Sequence, residues 1–410
     1  MCPIAQPTLS ARPSRSWRSW RGWRAALGVA LAALLAACSG LSGTEDFRSS
    51  PPPAAPAAAA ETAAIGTGQI KVGLLLPLSA PGNAGLAGQS MRNAAELALA
   101  EFHDPNIQLL VKDDGGSAQG ALGAAQQVLQ EGAGIILGPL FAHSVTQAAQ
   151  VARTRGVPVI GFSTDSNVAA RGVFLLSFLP ESDVDRIVEY TIAQGKRAFV
   201  ALLPDNAYGT VVEAEFKQVV ARKGGRVVAL ERYAADGGNM AEHARSIAQA
   251  AARADVLFLP DGGDGAVAAA QALAASGLDL RRLQVIGTGL WDDPRIFSDP
   301  ALAGGWYPAP DAAGFRGFSE RYRARYGQDP VRTATLAYDA VALVAALVKT
   351  QGEKRFALDT LTNASGFAGI DGVFRFRADG TNQRGLAVLK ATPSGGQVIA
   401  PAPRTFGPAT

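Results

Sequence analysis

Apolar positions along this chain fall into two alternating patterns. Short continuous runs, such as IKVGLLL at 70–76, read as strands buried on both faces. Between them apolar residues recur at helical spacing. Met91, Ala94, Ala95, Ala98 and Phe102 form one such face. The stretch 134–165, GIILGPLFAHSVTQAAQVARTRGVPVIGFSTD, shows both patterns together. Ile135, Ile136 and Leu137 form a strand closed by Gly138 and Pro139. Val145, Ala148, Ala149 and Ala152 then mark a helix, which Gly156 and Pro158 stop. Val157, Val159 and Ile160 form the next strand, opening into Phe162, Ser163, Thr164 and Asp165. Two successive parallel strands place their loops at one sheet edge, and in open α/β sheets ligands bind there. The first loop feeds a helix N-terminus, which suits an anion. The second offers two hydroxyls and a carboxylate.

The same grammar is used twice. Strands at 70–76, 107–111, 135–137, 157–160 and 173–178 alternate with helices. Pro180 opens a second series, with strands at 198–203, 227–230, 256–259 and 285–287. The prediction is α/β: two doubly wound parallel-sheet lobes. The last third differs. Phe315, Phe318, Tyr322 and Tyr326 form an aromatic helical stripe that reads as core. A long apolar helix covers 335–348 and a short one 357–361. Runs at 374–377 and 386–389 flank Ala378, Asp379 and Gly380 as a predicted hairpin.

The N-terminus has another character. Five arginines between Arg12 and Arg24, interleaved with Trp17, Trp20 and Trp23, precede an apolar run at 25–37. About 13 apolar residues are too few to span a bilayer but suit a signal-peptide core. Leu35-Ala36-Ala37-Cys38 resembles the bacterial lipobox, which implies a lipid on Cys38 and removal of 1–37. Ser39 rather than Asp after the cysteine leans towards the outer membrane. Residues 38–68, rich in proline and alanine, read as a tether reaching roughly 3 Å per residue where extended.

Charge follows from this division. The whole chain carries +3, and residues 1–37 hold five arginines and no acid, so the remainder carries −2. That balance excludes nucleic-acid binding through bulk charge. Only Cys2 and Cys38 occur, so neither a disulfide framework nor a cysteine metal site is available. The three histidines, His103, His143 and His243, lack metal-ligand spacing. No phosphate loop or nucleophile elbow appears, and no cofactor motif; DGGDG at 261–265 reads as a turn at a strand end. The expectation is a protein without catalytic residues, metal or cofactor.

What remains is a set of strand-end loops bearing small polar and aromatic groups. They carry Ser79; Phe141, Ala142 and His143; Ser163, Thr164 and Asp165; Asp205 and Tyr208; Asp261; and Trp291 with Asp292. A zwitterion needs opposite partners at its two ends. Helix-start N–H groups and hydroxyls suit its carboxylate, and Asp261 or Asp205 suits its ammonium. Tyr208 and Trp291 would wall an apolar side chain. Each acid is equally a natural helix cap or turn former.

From about Gln69 the chain resembles the type I periplasmic-binding proteins, leucine and branched-chain-amino-acid subgroup. The matching pieces are KVGLLLPLSAPGNAGLAGQSMRNAAELAL, DDGGSAQGALGAAQQVL, GPLFAHSVTQAAQVARTRGVPVIGFST, PDNAYGTVVEAEFK and TATLAYDAVALVAAL. The resemblance implies two lobes joined by three crossovers: 69–179 with 289–370, and 180–288 with 371–400, then a tail at 401–410. It implies a ligand between them, touched by Phe141, Ala142, Ser163, Thr164 and Asp165 from one lobe, and by Tyr208 and Asp261 from the other. It also implies delivery of an amino-acid or amide solute to an ABC permease in the periplasm. Ala142 stands where the subgroup carries a hydroxyl residue, so side-chain help for the carboxylate is lost there. The ending GVFRFRADGTNQRGLAVLKATPSG with PAPRTF also resembles penicillin-binding protein activator lipoproteins, which touch a peptidoglycan synthase instead.

Overall fold

The computed structural model describes residues 64–406. The expected signal peptide, Cys38, the tether up to residue 63 and the end of the tail at 407–410 lie outside the described residues. The globular part begins at Ile65 rather than Gln69. Ile65 exchanges two backbone hydrogen bonds with Leu109, at 3.0 and 2.8 Å, and Gly68 donates to the Ile107 carbonyl at 3.1 Å. The last residues assigned to the tether thus line a sheet edge.

The first sheet contains β1 (Ile70–Leu76), β2 (Ile107–Asp113), β3 (Ile136–Leu137), β4 (Val159–Gly161) and β5 (Val173–Leu175), all parallel, in the order β2-β1-β3-β4-β5. Helices α1 (Asn83–Glu101), α2 (Ala118–Gln130) and α3 (Ala142–Thr154) connect its first four strands. The strands are apolar throughout because both faces are covered. Val72, Leu74, Leu76, Leu109 and Val111 enter one core, while Leu75 and Leu110 enter the other beside Val128 and Val145. That split is the two-residue period of a strand.

The chain then crosses to a second sheet. Its elements are α4 (Pro180–Ala193), β6 (Ala198–Asp205), α5 (Ala207–Arg222), β7 (Arg226–Ala234), α6 (Met240–Ala250), β8 (Val256–Phe258), α7 (Gly263–Ala275), β9 (Gln284–Ile286), α8 (Pro294–Ser298) and β10 (Trp306–Ala309). It returns through α9 (Ala312–Tyr326), α10 (Ala334–Thr350) and α11 (Leu358–Leu361), then a small sheet of β11 (Phe367–Gly369), β12 (Gly372–Phe376) and β13 (Asn382–Arg384). Finally β14 (Ala387–Thr392) and β15 (Gly395–Ala400) rejoin the second sheet, whose order is β15-β14-β10-β9-β8-β6-β7.

Two crossovers therefore fall later than the sequence reading placed them. The second lies near 310, not 289, because β10 pairs in parallel with β9 and antiparallel with β14, and Trp291, Ile296 and Leu302 enter the second lobe's core. The third lies at 385–386, not 371, because Phe374 and Phe376 pack in the first lobe with Phe174, Leu336 and Val341. The predicted hairpin is half realised. β12 pairs with β13 across the turn, whereas 387–389 belong to β14 in the other sheet. Expecting 386–389 as the hairpin's second arm overlooked that the chain changes lobes at Gly385. The tail packs as well: the Arg375 guanidinium lies 4.6 Å from the Phe406 ring centre.

Candidate functional site

A cavity of about 500 Å³ lies between the two lobes, walled by all three crossovers. Phe178, Leu179, Pro180, Ser182 and Asp183 come from the first crossover and the start of α4. Pro308, Ala309 and Pro310 come from the second, and Arg384 and Leu386 from the third. Thr164 reaches it from the loop after β4, Tyr208 from the first turn of α5, and Gly289, Leu290 and Asp292 from the loop after β9. Arg332, just before α10, completes the wall.

Asp183 and Tyr208 link the wall to the second lobe. The Gly289 N–H donates to Asp183 Oδ2 at 2.9 Å. Burial pushes the Asp183 carboxyl up to about 7, against that N–H and with the Glu181 charge adding to it. The Tyr208 hydroxyl lies 2.7 Å from Thr288 Oγ1, either being able to donate. Burial, then the nearby Asp183 charge, holds the Tyr208 hydroxyl well above the usual tyrosine range, so it stays protonated.

Two arginines stack on one ring at the crossovers. The Arg332 guanidinium lies 4.6 Å from the ring centres of both Phe178 and Phe315. It donates to both Asp371 oxygens, at 3.0 and 2.7 Å. Arg384 lies 4.6 Å from the centre of the same Phe178 ring and 5.7 Å from that of Phe374, and its Nε donates to the Ser177 carbonyl at 2.9 Å. Such stacking of delocalised cations on aromatic rings is characteristic of arginine rather than lysine.

Of the residues picked from the sequence, Thr164, Tyr208 and Asp292 meet at this cavity. Ser163 is buried and not part of the cavity wall, its Oγ accepting the Asp165 N–H at 3.1 Å. Asp165 is exposed and caps a short 3₁₀ turn, accepting the Asn167 N–H at 3.0 Å. Phe141 and Ala142 open α3 with no side-chain cap, apart from the cavity wall. The Phe141 ring is stacked on His143, whose Nε2 lies 3.0 Å from the Gly116 carbonyl. Asp261 accepts the Tyr233 hydroxyl and the Gly262 N–H, so it is engaged inside its own lobe. Asp205 likewise pairs with Arg232 at 2.6 Å.

Trp291 corrects an expectation. It is 0 % exposed and donates Nε1–H to the Leu259 carbonyl at 3.0 Å. Its ring fills the slot opened by Gly287 and Gly305, so it is core and cannot wall a ligand. The residues that sequence reasoning missed are Phe178, Asp183, Arg332 and Arg384. Asp183 and Phe178 flank Pro180, where the second series of elements begins, and that boundary was their available signal. Arg332 and Arg384 had none of comparable strength.

Two α/β lobes, one with a wholly parallel sheet and one whose parallel sheet ends in two antiparallel strands, together with three crossovers and an interlobe cavity, define a type I periplasmic-binding fold, a class built to hold a solute between its halves. The chain belongs to the periplasmic binding protein family, whose model matches residues 69–397. Among solved structures, one described as a branched-chain amino acid ABC transporter from Rhodospirillum rubrum shares 21% identity with a TM-score of 0.71, covering 80% of this chain and 99% of that one. The solute-binding protein RPA0668 of an ABC transporter from R. palustris, in complex with benzoate, shares 23% identity with a TM-score of 0.54, covering 82% and 98%. At these identities the likeness establishes the fold. An uncharacterized protein of Rickettsia prowazekii (strain Madrid E), RP748, is 22% identical over 165 residues, spanning 40% of this chain and 43% of that protein.

Proposed function

We propose that this protein is the solute-binding component of an ABC importer, holding a small organic ligand between its lobes in the periplasm. The observation that carries this reading is the cavity of about 500 Å³, walled from both lobes and all three crossovers. A ligand seated there touches both halves at once, so it favours whichever lobe angle gives it the most contact. Relatives of this fold include one described as a branched-chain amino acid ABC transporter and one solved with benzoate, and both ligand classes are of a size for this cavity. In this reading the mature chain begins at a lipidated Cys38, and residues 38–64 tether it to the membrane.

A thermal-shift screen of the mature chain against amino acids, aromatic acids and muropeptides tests the proposal. Ligand linkage raises stability by RT ln(1 + [L]/Kd), about 2.7 kcal/mol at a hundredfold excess over Kd. At least one small solute is expected to stabilise the chain to that degree. A flat response to all small solutes, with capture of a peptidoglycan synthase, would transfer the function to cell-wall regulation.

A further inference from the structure

We propose that a hollow at the far end of the first lobe docks an acidic peptide segment of a second protein, one that places an aromatic or leucine side chain between its carboxylates. The inference is independent of what the interlobe cavity holds. The hollow measures about 310 Å³ and lies where β4 and β5 begin, whereas the loops after those strands carry Thr164 and Phe178 to the interlobe cavity. Its floor is apolar: Pro158 and Val173 are buried, and Val157, Phe356 and Leu358 are half-buried. That volume stands at the lower end of the range for binding pockets, about 300–1,000 Å³, and suits one large side chain.

The rim is cationic. Arg153 comes from the last turn of α3, and Arg171 from the turn before β5. Both are exposed, and neither guanidinium has a hydrogen bond or an ion pair among the described residues. The Arg171 backbone is fixed, because Ala170 and Val173 close its turn with two hydrogen bonds, at 3.1 and 2.8 Å. Further cations adjoin the wall in sequence: Arg155 beside Gly156, and Lys354 and Arg355 before Phe356. The wall itself contains no acid, and the acids nearest to it in sequence are Glu353 and Asp359. The chain's charge of +3 arises in residues 1–63, with six arginines and three acids, so residues 64–406 are formally neutral. The cations around this hollow are therefore a local excess. A cation at a helix C-terminus complements the helix dipole, which accounts for Arg153 and Arg155 but not for Arg171 at the tip of a turn.

The second lobe has a hollow of similar kind where β8 and β9 begin, with Arg245 and Arg282 in its wall, but Asp279 shares that wall. There the chain supplies a carboxylate of its own. In the first lobe it supplies the cations and the apolar floor and leaves the acid to a partner. An apolar anchor seated in a pocket, with complementary charge around it, is how compact peptide contacts gain affinity and register. A bilayer presents its charges on a plane and leaves the recessed floor empty. A small organic anion fills the hollow without reaching Arg155 or Lys354, which stand outside the wall. An extended peptide, advancing roughly 3.3 Å per residue, serves both.

The test is fluorescence anisotropy of labelled peptides titrated with the mature chain. The probes are Gly-Glu-Asp-Glu-Xaa-Glu-Asp-Glu-Gly, in which Xaa is phenylalanine, leucine or alanine. The phenylalanine or the leucine peptide is expected to bind about tenfold or more tightly than the alanine peptide, as burial of a large apolar side chain provides. Arg153→Gln combined with Arg171→Gln should weaken that binding about three- to thirtyfold, the range of two exposed ion pairs. Both side chains are exposed, so this variant should keep the circular dichroism and urea midpoint of the unaltered chain. Arg245→Gln combined with Arg282→Gln, in the second lobe, should leave the affinity within about twofold. Equal affinity for all three peptides overturns the proposal, since charge alone then acts. An unchanged affinity in the first-lobe variant, or an equal loss in the second-lobe variant, also overturns it. So does the absence of binding up to about 1 mM peptide, the limit of weak association. Sedimentation of the chain with phosphatidylglycerol vesicles while every peptide fails would overturn it in favour of a membrane contact.

Discussion

The indole of Trp291 lies against Gly287 so closely that any side chain there must displace it. A Cβ on Gly287 would stand 2.2 Å from Cε2 and 2.3 Å from both Cδ2 and Nε1 of that ring. Real atoms do not approach so closely, and the ring has no free direction: it is 0 % exposed and held by its bond to the Leu259 carbonyl. Gly287→Ala should therefore cost about 1–3 kcal/mol for overpacking, with roughly 1 kcal/mol more if the Nε1 bond is lost. Trp291→Leu, which empties the slot and leaves the carbonyl unpaired, should cost about 2–4 kcal/mol. The double variant should cost less than the two together, by on the order of 1–3 kcal/mol, because alanine clashes with nothing once the ring is gone. Urea unfolding of the four proteins, followed by circular dichroism, measures this coupling. Additivity within about 0.5 kcal/mol would show that the indole does not rest on Gly287. A loss of ligand affinity in Trp291→Leu without loss of stability would return Trp291 to the cleft.

Three further outcomes are expected. Asp339 keeps its proton up to about 7 when folded but loses it near 3.8 when unfolded, so its contribution is complete below about pH 4 and is lost as the pH rises towards 7. Asp339→Asn, which retains an acceptor for Ile370, should flatten the fall in the free energy of urea unfolding between about pH 5 and pH 7.5 by roughly 2 kcal/mol, whereas an unchanged slope would place the titration elsewhere. Tyr208→Phe should lower stability by about 1 kcal/mol by stranding the buried Thr288 hydroxyl, and adding Thr288→Val should recover most of it; a double variant as unstable as the sum would deny the pair. Cys38→Ala should yield a product released from membranes by a high-salt wash, and full membrane retention of that variant would count against the lipid anchor.

How far the sequence carried the account depended on the range of the physics involved. The first-lobe strands were legible at 70–76 and 107–111 because parallel strands covered on both faces leave apolar runs. Thr164 and Tyr208 were found because each follows a strand end at the ligand-bearing edge. Trp291 also follows a strand end, and nothing adjacent distinguishes a cleft wall from core. The deciding residues are Gly287 and the distant Gly305, which together open its slot. The second crossover was misplaced because 306–309 gain their strand character from β14, some eighty residues on, a pairing without local trace. Arg384 sits in NQRG, which reads as turn chemistry, and only the folded chain brings it to Phe178. Local periodicity reported the layers, whereas the site was assembled from crossovers, where local pattern is weakest.

Hydrogen exchange with and without a ligand from the screen tests the central claim most directly. A solute held between the lobes should slow exchange on both sides of the cavity at once: around Thr164 and Phe178 in the first lobe, Tyr208 and Gly289 in the second, and Leu386 at the third crossover. Protection confined to one lobe, or to an outer face such as α6, would contradict it.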